Sequence, residues 1–465
     1  MKDIRVWILI FFLVRMYGIA FPPLEIGHNW RQTDGLMIAR NFYEHGANLF
    51  FPHVDITNGG EGMAASEFPI LNYVVYLFAK VFGYHDWIGR LVVLVTSCLG
   101  VYFFHRLIFI RFGEKVAFNA AIILTVSMWF SFSRKMMPDV FAASLAIIAL
   151  YFGYRYLREG KLYAVGLFVL LGALACLSKI LAASILTVML FPMLDKTNPL
   201  SRKILIGMAS TIILASVCYW YFFWVPYLQT LGVSGHFFMG YPYFEGMRLI
   251  FRDWIHVADR LFMSPIKYVG FVAFVTAIII TIRKKDWLPV WIFLVPMLAY
   301  LMVFMKTGTA ITTGDNYYVL TMIPSMAFII GYAMARLKWQ KVALATLIII
   351  SIESIADQIY DFRIRQPLAS LVSLEGIMDK VSNRDDLVAI SAETGYPTPM
   401  YMAHRRGWVT TPELLQKEGY RNDIKQKGCK FIVVTKEMFG DFQLPLKQVH
   451  DSQYFRIYSF AEQAN

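Results

Sequence analysis

Charge is scarce in this chain. Only 16% of its 465 residues are Asp, Glu, Lys or Arg, where a soluble globular protein carries about 25%. Apolar residues reach 57%, above the usual range of about 45–50%. Together these figures exclude an ordinary soluble domain. Cysteine is also rare: Cys98, Cys176 and Cys218 lie in apolar runs and Cys429 lies near the C-terminus. No spacing among them fits a zinc site or a disulfide framework. Gly-rich phosphate loops of the P-loop and Rossmann kinds are missing, which argues against a primary pump and against a transferase using a cytoplasmic nucleotide sugar. The two halves share no convincing internal repeat, a feature many transporters display.

What remains is a series of long apolar runs. A membrane-spanning helix needs about 20 mostly apolar residues, and candidate spans are 4–21, 87–110, 117–134, 139–157, 162–178, 180–194, 203–224, 265–282, 287–305, 317–335 and 341–358. The expected fold is a polytopic α-helical membrane protein of about 11 spans. The first run has a basic start at Lys2 and Arg5, lacks a small-residue cleavage site and is interrupted by Arg15, so it reads as an uncleaved span.

The formal charge of +12 follows the positive-inside rule and does not point to nucleic acid. With the N-terminus in the cytoplasm, every inside stretch is net basic, for example Arg155, Arg158 and Lys161, or Arg283, Lys284 and Lys285. The first outside loop, 22–68, sets Arg31 and Arg40 against Glu25, Asp34, Glu44, Asp55, Glu61 and Glu67. An odd number of spans places the C-terminal region outside. The short spans that meet around Leu177 to Ala182 suggest a hairpin that does not fully cross. Segment 69–82 begins at a proline and is too short to span, which suggests an interfacial or re-entrant helix. The outside loop 225–264 is aromatic, with an amphipathic stretch from Phe244 to Phe262.

From about Asp361 the composition turns polar. Leu387–Ile390 and Phe431–Val434 read as buried strands. A helical stretch from Pro412 to Lys427, stopped by Gly428, lies between them. The domain expectation is a membrane-embedded region 1–360, with outside loops 22–68 and 225–264, followed by a small extracytoplasmic α/β domain at 361–465.

The densest polar text is His28-Asn29-Trp30-Arg31-Gln32-Thr33-Asp34, directly after the first span. Asp34 opens an expected helix from Thr33 to His45. The plain alternative is that Thr33 or Asp34 is only its N-cap. A carboxylate at that depth can act as general base toward an acceptor hydroxyl or amine. Glu67 ends the same loop, and Asp139 sits in the outside turn after the third span, where an N-cap role competes. Arg134, Lys135 and Lys179 are basic residues on the outside face, against the charge trend. Together with Arg15 they are candidates to hold a lipid phosphate, with snorkelling to headgroups as the alternative for Arg134 and Lys135. His236 and His256 are loop histidines of the kind that can ligate a metal.

These residues resemble the GT-C-type glycosyltransferases, in particular the bacterial family 39-like proteins related to protein O-mannosyltransferases and the lipid A aminoarabinose transferase. The matching text is His28-x-Trp30-Arg31-Gln32-x-Asp34 with Ile38–Phe42, Glu67-Phe68-Pro69, Gly89-Arg90-Leu91, Met137-Pro138-Asp139, Gly172-x-x-x-x-Leu177-Ser178-Lys179, and Asp315-Asn316-Tyr317-Tyr318. The resemblance implies a polyprenyl-phosphate-linked sugar donor, a glycan, lipid or protein acceptor, and catalysis at the outer face of the cytoplasmic membrane. It makes Asp34, Glu67 and Asp139 the expected catalytic acids, and His28, Arg31, Arg134, Lys179 and Tyr317 the expected substrate-binding residues. Many relatives carry paired acids in the first loop, whereas here Gly35 follows Asp34. A divalent metal ion is the one cofactor left open, with Glu67, Asp139 and His236 as its candidate ligands. The reading from a different class is a transporter or flippase of lipid-linked glycans.

Overall fold

The computed structural model describes residues 3–231, 241–304 and 316–461. It divides into two compact units. The first comprises Met1–Ile19, Arg90–Tyr221 and Phe238–Ile359, and the second Ala20–Gly89, Phe222–Phe237 and Tyr360–Asn465.

The first unit is helical. Among the described residues of the chain, six helices are long and apolar enough to cross a membrane: Asp86–Phe112, Pro138–Glu159, Leu200–Thr230, Trp254–Arg283, Trp287–Phe304 and Gln340–Phe362. The other expected spans contain shorter helices, including Ile4–Met16, Glu114–Val126, Leu162–Ser178 and Ile323–Ala335. The expected 180–194 span is a chain of short α and 3-10 turns. Pro138–Glu159 is the most enclosed of the long helices, with 83% of its apolar window buried. Its small residues Ala142, Ala143, Ser144, Ala146 and Ala149 let neighbours approach, as small residues do between helices in membranes. At Gly100 an added Cβ would lie 2.7 Å from Ser144 Cβ, and at Gly331 one would lie 2.5 Å from Ala120 N. The Ser264–Arg283 segment is broken at Lys267, whose φ is +62°. Glu353 caps the restart, accepting from the main-chain N–H of Tyr268 and Val269 at 3.1 and 2.9 Å.

The second unit carries a five-stranded sheet of β1 Leu387–Ser391, β2 Arg406–Thr410, β3 Cys429–Thr435, β4 Lys447–Asp451 and β5 Phe455–Ser459, in the order β2-β1-β3-β5-β4. β1 pairs in parallel with β2 and β3, and β5 runs antiparallel to β3 and β4. The two apolar strands read from sequence are β1 and β3. β2 and β4 escape a hydrophobicity pattern because Arg406, Gly407, Lys447 and Asp451 interrupt them. The helix expected over 412–427 is two, Pro412–Gln416 and Glu418–Gln426, because Lys417 takes an extended conformation.

The first loop joins this sheet. Ile56 bridges Gly407 in parallel, with Thr57 N–H donating to Gly407 O at 2.8 Å and Gly407 N–H donating to Asp55 O at 2.9 Å. Gly407 has φ +147°, and an added Cβ would meet Val388 O at 1.9 Å. Only glycine fits at that contact. Two helices of the second unit also lie in the first loop region and just after it, Asn29–His45 and Ile70–Phe82. The latter covers the expected interfacial segment.

Candidate functional site

The Asn29–His45 helix begins earlier than the sequence suggests. His28 precedes it in the left-handed region at φ +63°. Asp34 is therefore inside the helix, in its second turn, and is not the N-cap. One turn back, Arg31 Nη1 donates to Asp34 Oδ2 at 2.9 Å, and its Nη2 donates to Glu67 Oε1 at 2.7 Å. One guanidinium thus orients two carboxylates that lie 33 residues apart in sequence. The side chains of Arg31, Asp34 and Glu67 are 14%, 20% and 20% exposed, so a ligand can reach them.

A buried framework of the same unit holds that helix. Tyr396 Oη donates to Asn29 Oδ1 at 2.6 Å, Thr398 Oγ1 donates to the same oxygen at 3.2 Å, and Asn72 Nδ2 donates to Gly35 O at 2.6 Å. Further along, Arg40 Nη2 reaches Asp55 Oδ2 at 2.7 Å and Asn41 Nδ2 reaches Asp55 Oδ1 at 2.8 Å. Arg40 Nη1 donates to Tyr401 O at 3.0 Å while its guanidinium stands 4.2 Å from the Tyr401 ring. Burial opposes the charge on Arg40, but Asp55 outweighs it and raises the Arg40 pKa. Sequence reasoning noted Asn29 and Asp55 without a role and missed Tyr396, Thr398 and Tyr401, whose partners in the helix lie more than 350 residues away.

A second set of candidates belongs to the first unit. Lys179 Nζ lies 3.3 Å from Asp139 Oδ1, and the two side chains are 5% and 2% exposed. Lys179 also stands 4.5 Å from the Tyr318 ring and 5.3 Å from the Tyr317 ring, which stack at 4.7 Å. Its backbone is extended at the break between Leu162–Ser178 and the 3-10 turn Ile180–Ala182. Asp139 follows Pro138 in the first turn of its helix, where a carboxylate also complements the helix dipole. The adjacent turn is basic and buried. Arg134 Nη1 donates to Tyr17 O at 2.7 Å, and Lys135 stands 4.3 Å from the Phe132 ring. Arg15 donates to Ser133 Oγ and Ser131 O, both at 3.3 Å. Ionisable groups buried at membrane depth are costly and mark ion or substrate sites by default.

The structure thus joins Arg31, Asp34 and Glu67 in the second unit, and Asp139, Lys179 and Tyr317 in the first. His28 flanks the former set, and Arg134 lies in the buried basic turn. His236 and Asp315 lie outside the described residues. Of the candidate metal ligands, Glu67 is engaged by Arg31 in the second unit and Asp139 by Lys179 in the first. Among the described residues no group of three or more His, Cys, Asp or Glu side chains converges. A separate void of about 110 Å³ in the first unit is lined by Phe104, Ile147, Tyr154, Ile185 and Phe328, with Arg111 in its wall. Ile147 and Tyr154 of its wall lie about 12 and 22 Å along their helix from Asp139.

Residues 66–223 match the family model described as dolichyl-phosphate-mannose-protein mannosyltransferase. No curated protein matches the sequence. Among solved structures, ArnT from Cupriavidus metallidurans bound to undecaprenyl phosphate is 14% identical and aligns over 97% of this chain and 98% of its own, with a TM-score of 0.61. The oligosaccharyltransferase AglB from Archaeoglobus fulgidus, in complex with an inhibitory peptide and a dolichol-phosphate, is 11% identical over 93% of this chain and 69% of its own, with a TM-score of 0.51. At these identities the likeness is one of fold. An oligosaccharyltransferase from Archaeoglobus fulgidus in complex with zinc and sulfate is 12% identical over 92% of this chain and 67% of its own, with a TM-score of 0.51. The chain is thus similar to this mannosyltransferase family over residues 66–223 and shares a fold with ArnT over nearly its whole length.

Proposed function

We propose that the protein is an integral-membrane glycosyltransferase that moves one sugar from a polyprenyl phosphate to a glycan, lipid or protein acceptor. The observation that carries this reading is the Arg31 clamp, which presents two oriented and accessible carboxylates at the start of the first loop. Relatives in fold that bind undecaprenyl phosphate or dolichol-phosphate support the donor class. The void near Arg111 has the apolar lining that a hydrocarbon chain requires.

In the proposed reaction the acceptor hydroxyl or amine attacks the anomeric carbon as Asp34 takes its proton. The bond from that carbon to the phosphate oxygen breaks, and the electron pair leaves with the polyprenyl phosphate. Basic groups, for which the resemblance offers Lys179 and Arg134, offset the charge the phosphate gains, the kind of preorganised electrostatic stabilisation that lowers a transition state. Arg31 and Glu67 orient the base and the acceptor. A single displacement inverts the anomeric centre. The enzyme would lie in the cytoplasmic membrane with its N-terminus inside. Residues 1–360 would form the catalytic region, and residues 361–465 would lie outside.

The test is transfer from a panel of radiolabelled polyprenyl-phosphate sugars by purified protein in lipid. Wild type is expected to transfer from at least one donor. Asp34→Asn, folded and inserted, should lose about 100-fold or more of that rate, the usual contribution of a positioned general base. Full activity in Asp34→Asn would remove the assignment. Absence of transfer from every donor, with movement of those lipids across the bilayer, would replace the enzyme by a lipid-linked glycan flippase.

A further inference from the structure

Two other cavities of the second unit, of about 520 and 500 Å³, share His45 and Arg406 in their walls. Each lies within the size range of small-molecule sites, about 300–1,000 Å³. The first is also lined by Asn48, Phe51 and His53. Arg406 opens β2, one residue before the Gly407 contact that takes the first loop onto the sheet.

Arg406 differs from the other charged groups around it. Arg40 and Asn41 engage Asp55, and His404 engages Glu44. Arg384 pairs with Glu375 and Asp379, and Arg405 pairs with Asp379. Arg406 Nη2 donates only to the main-chain oxygen of Glu61, at 3.0 Å, and its Nε is buried without a hydrogen-bond partner. Among the described residues no carboxylate pairs with it. The remaining wall carboxylates, Glu61 and Asp385, are exposed. A guanidinium left in this state suits a planar carboxylate or a phosphate, which its fork can grip through two N–H groups. Burial, and after it the charge of Arg406, hold His53 below its usual pKa. A neutral imidazole both donates and accepts, as a sugar hydroxyl requires.

We propose that these adjoining cavities bind an acidic sugar of the acceptor, with its carboxylate or phosphate on Arg406 and its hydroxyls on His45, Asn48 and His53. This rests on the glycosyl-transfer reading and narrows its acceptor to an anionic glycan.

The experiment is calorimetric titration of the full chain in phosphatidylcholine nanodiscs, without donor, using glucuronic acid, glucose 6-phosphate and glucose. At least one acidic sugar is expected to bind about tenfold or more tightly than glucose, as an added charge-assisted contact implies. The tighter of the two identifies carboxylate or phosphate as the charge that is read. Arg406→Gln should bring the acids down to the level of glucose, and Arg406→Lys should keep part of the preference. Equal binding of all three sugars to wild type would overturn the proposal, and that comparison does not depend on any variant folding. A preference that survives in Arg406→Gln would overturn it too, as would acetate and inorganic phosphate binding as tightly as the sugars. Because no donor is present, transfer without acid preference removes this subsite alone. Acid binding without transfer from any donor removes the enzymatic reading and retains the anion site.

Discussion

Replacing Asp55 by alanine would leave the Arg40 guanidinium buried without its counter-charge. The two side chains are 6% and 7% exposed and meet at 2.7 Å, with Asn41 holding the second carboxylate oxygen. Removing one partner of a buried pair costs about 3–5 kcal/mol, because the other charge stays out of water uncompensated. For a unit of this size about 2–4 °C is lost per kcal/mol, so the Asp55→Ala melting transition should fall by roughly 10 °C. The double variant Arg40→Met/Asp55→Leu buries no orphan charge and should lose less than the sum of its single changes, with a coupling of about 1–3 kcal/mol. Near-ultraviolet circular dichroism on heating, in one detergent for wild type, Asp55→Ala, Arg40→Met, Asp55→Leu and the double variant, reads these differences. Single variants that melt within a degree or two of wild type would refute the reasoning. So would a double variant that loses the full sum, since either result would mean the pair is solvated or uncoupled.

Gly407→Ala should detach the first loop from β2, because the added Cβ would overlap Val388 O and the φ of +147° disfavours a side chain; a loss above about 2 kcal/mol is expected. Limited proteolysis should then cut within 53–63 faster than in wild type, and unchanged cleavage would refute the docking. His404 links Glu44 and Glu375, each at 2.9 Å. Burial lowers its pKa, but the two carboxylates outweigh that and raise it above the ordinary 6.5. The hydrogen bond from His404 is the main cause that holds Glu375 down at about 2 rather than 4.5. The contribution of His404 is therefore complete below 6.5 and fades as pH rises through its elevated value, whereas that of Glu375 is complete above 4.5 and fades as pH falls toward 2. Denaturant unfolding should show stability falling as pH rises above about 6.5, and His404→Gln should flatten that fall.

Much of the helical part was legible because a membrane leaves a one-dimensional signature. Long apolar runs appear as runs in sequence, and the short basic stretches between them suggest an orientation. Helix lengths were less legible. Glu114–Val126 ends sooner and Ile323–Ala335 begins later than the hydrophobicity around them does, since neighbouring turns and 3-10 segments take up apolar residues as well. In the second unit, β1 and β3 show because both of their faces are buried. β2 does not, because Arg406 and Gly407 break its apolar run, and its edge partner, residues 55–58, lies some 350 residues earlier.

The sequence by itself determined which chemistry was available: a polar, acid-bearing segment after the first apolar helix, acids at 67 and 139, and lysine at the end of an apolar helix at 179. Local spacing sufficed for Arg31 and Asp34, which lie one helical turn apart. Only the tertiary structure decided that Arg31 also holds Glu67, that Lys179 neutralises Asp139, and that no carboxylate among the described residues pairs with Arg406. Those outcomes depend on which groups meet out of water, where a pairing at 3 Å outweighs any preference written along the chain.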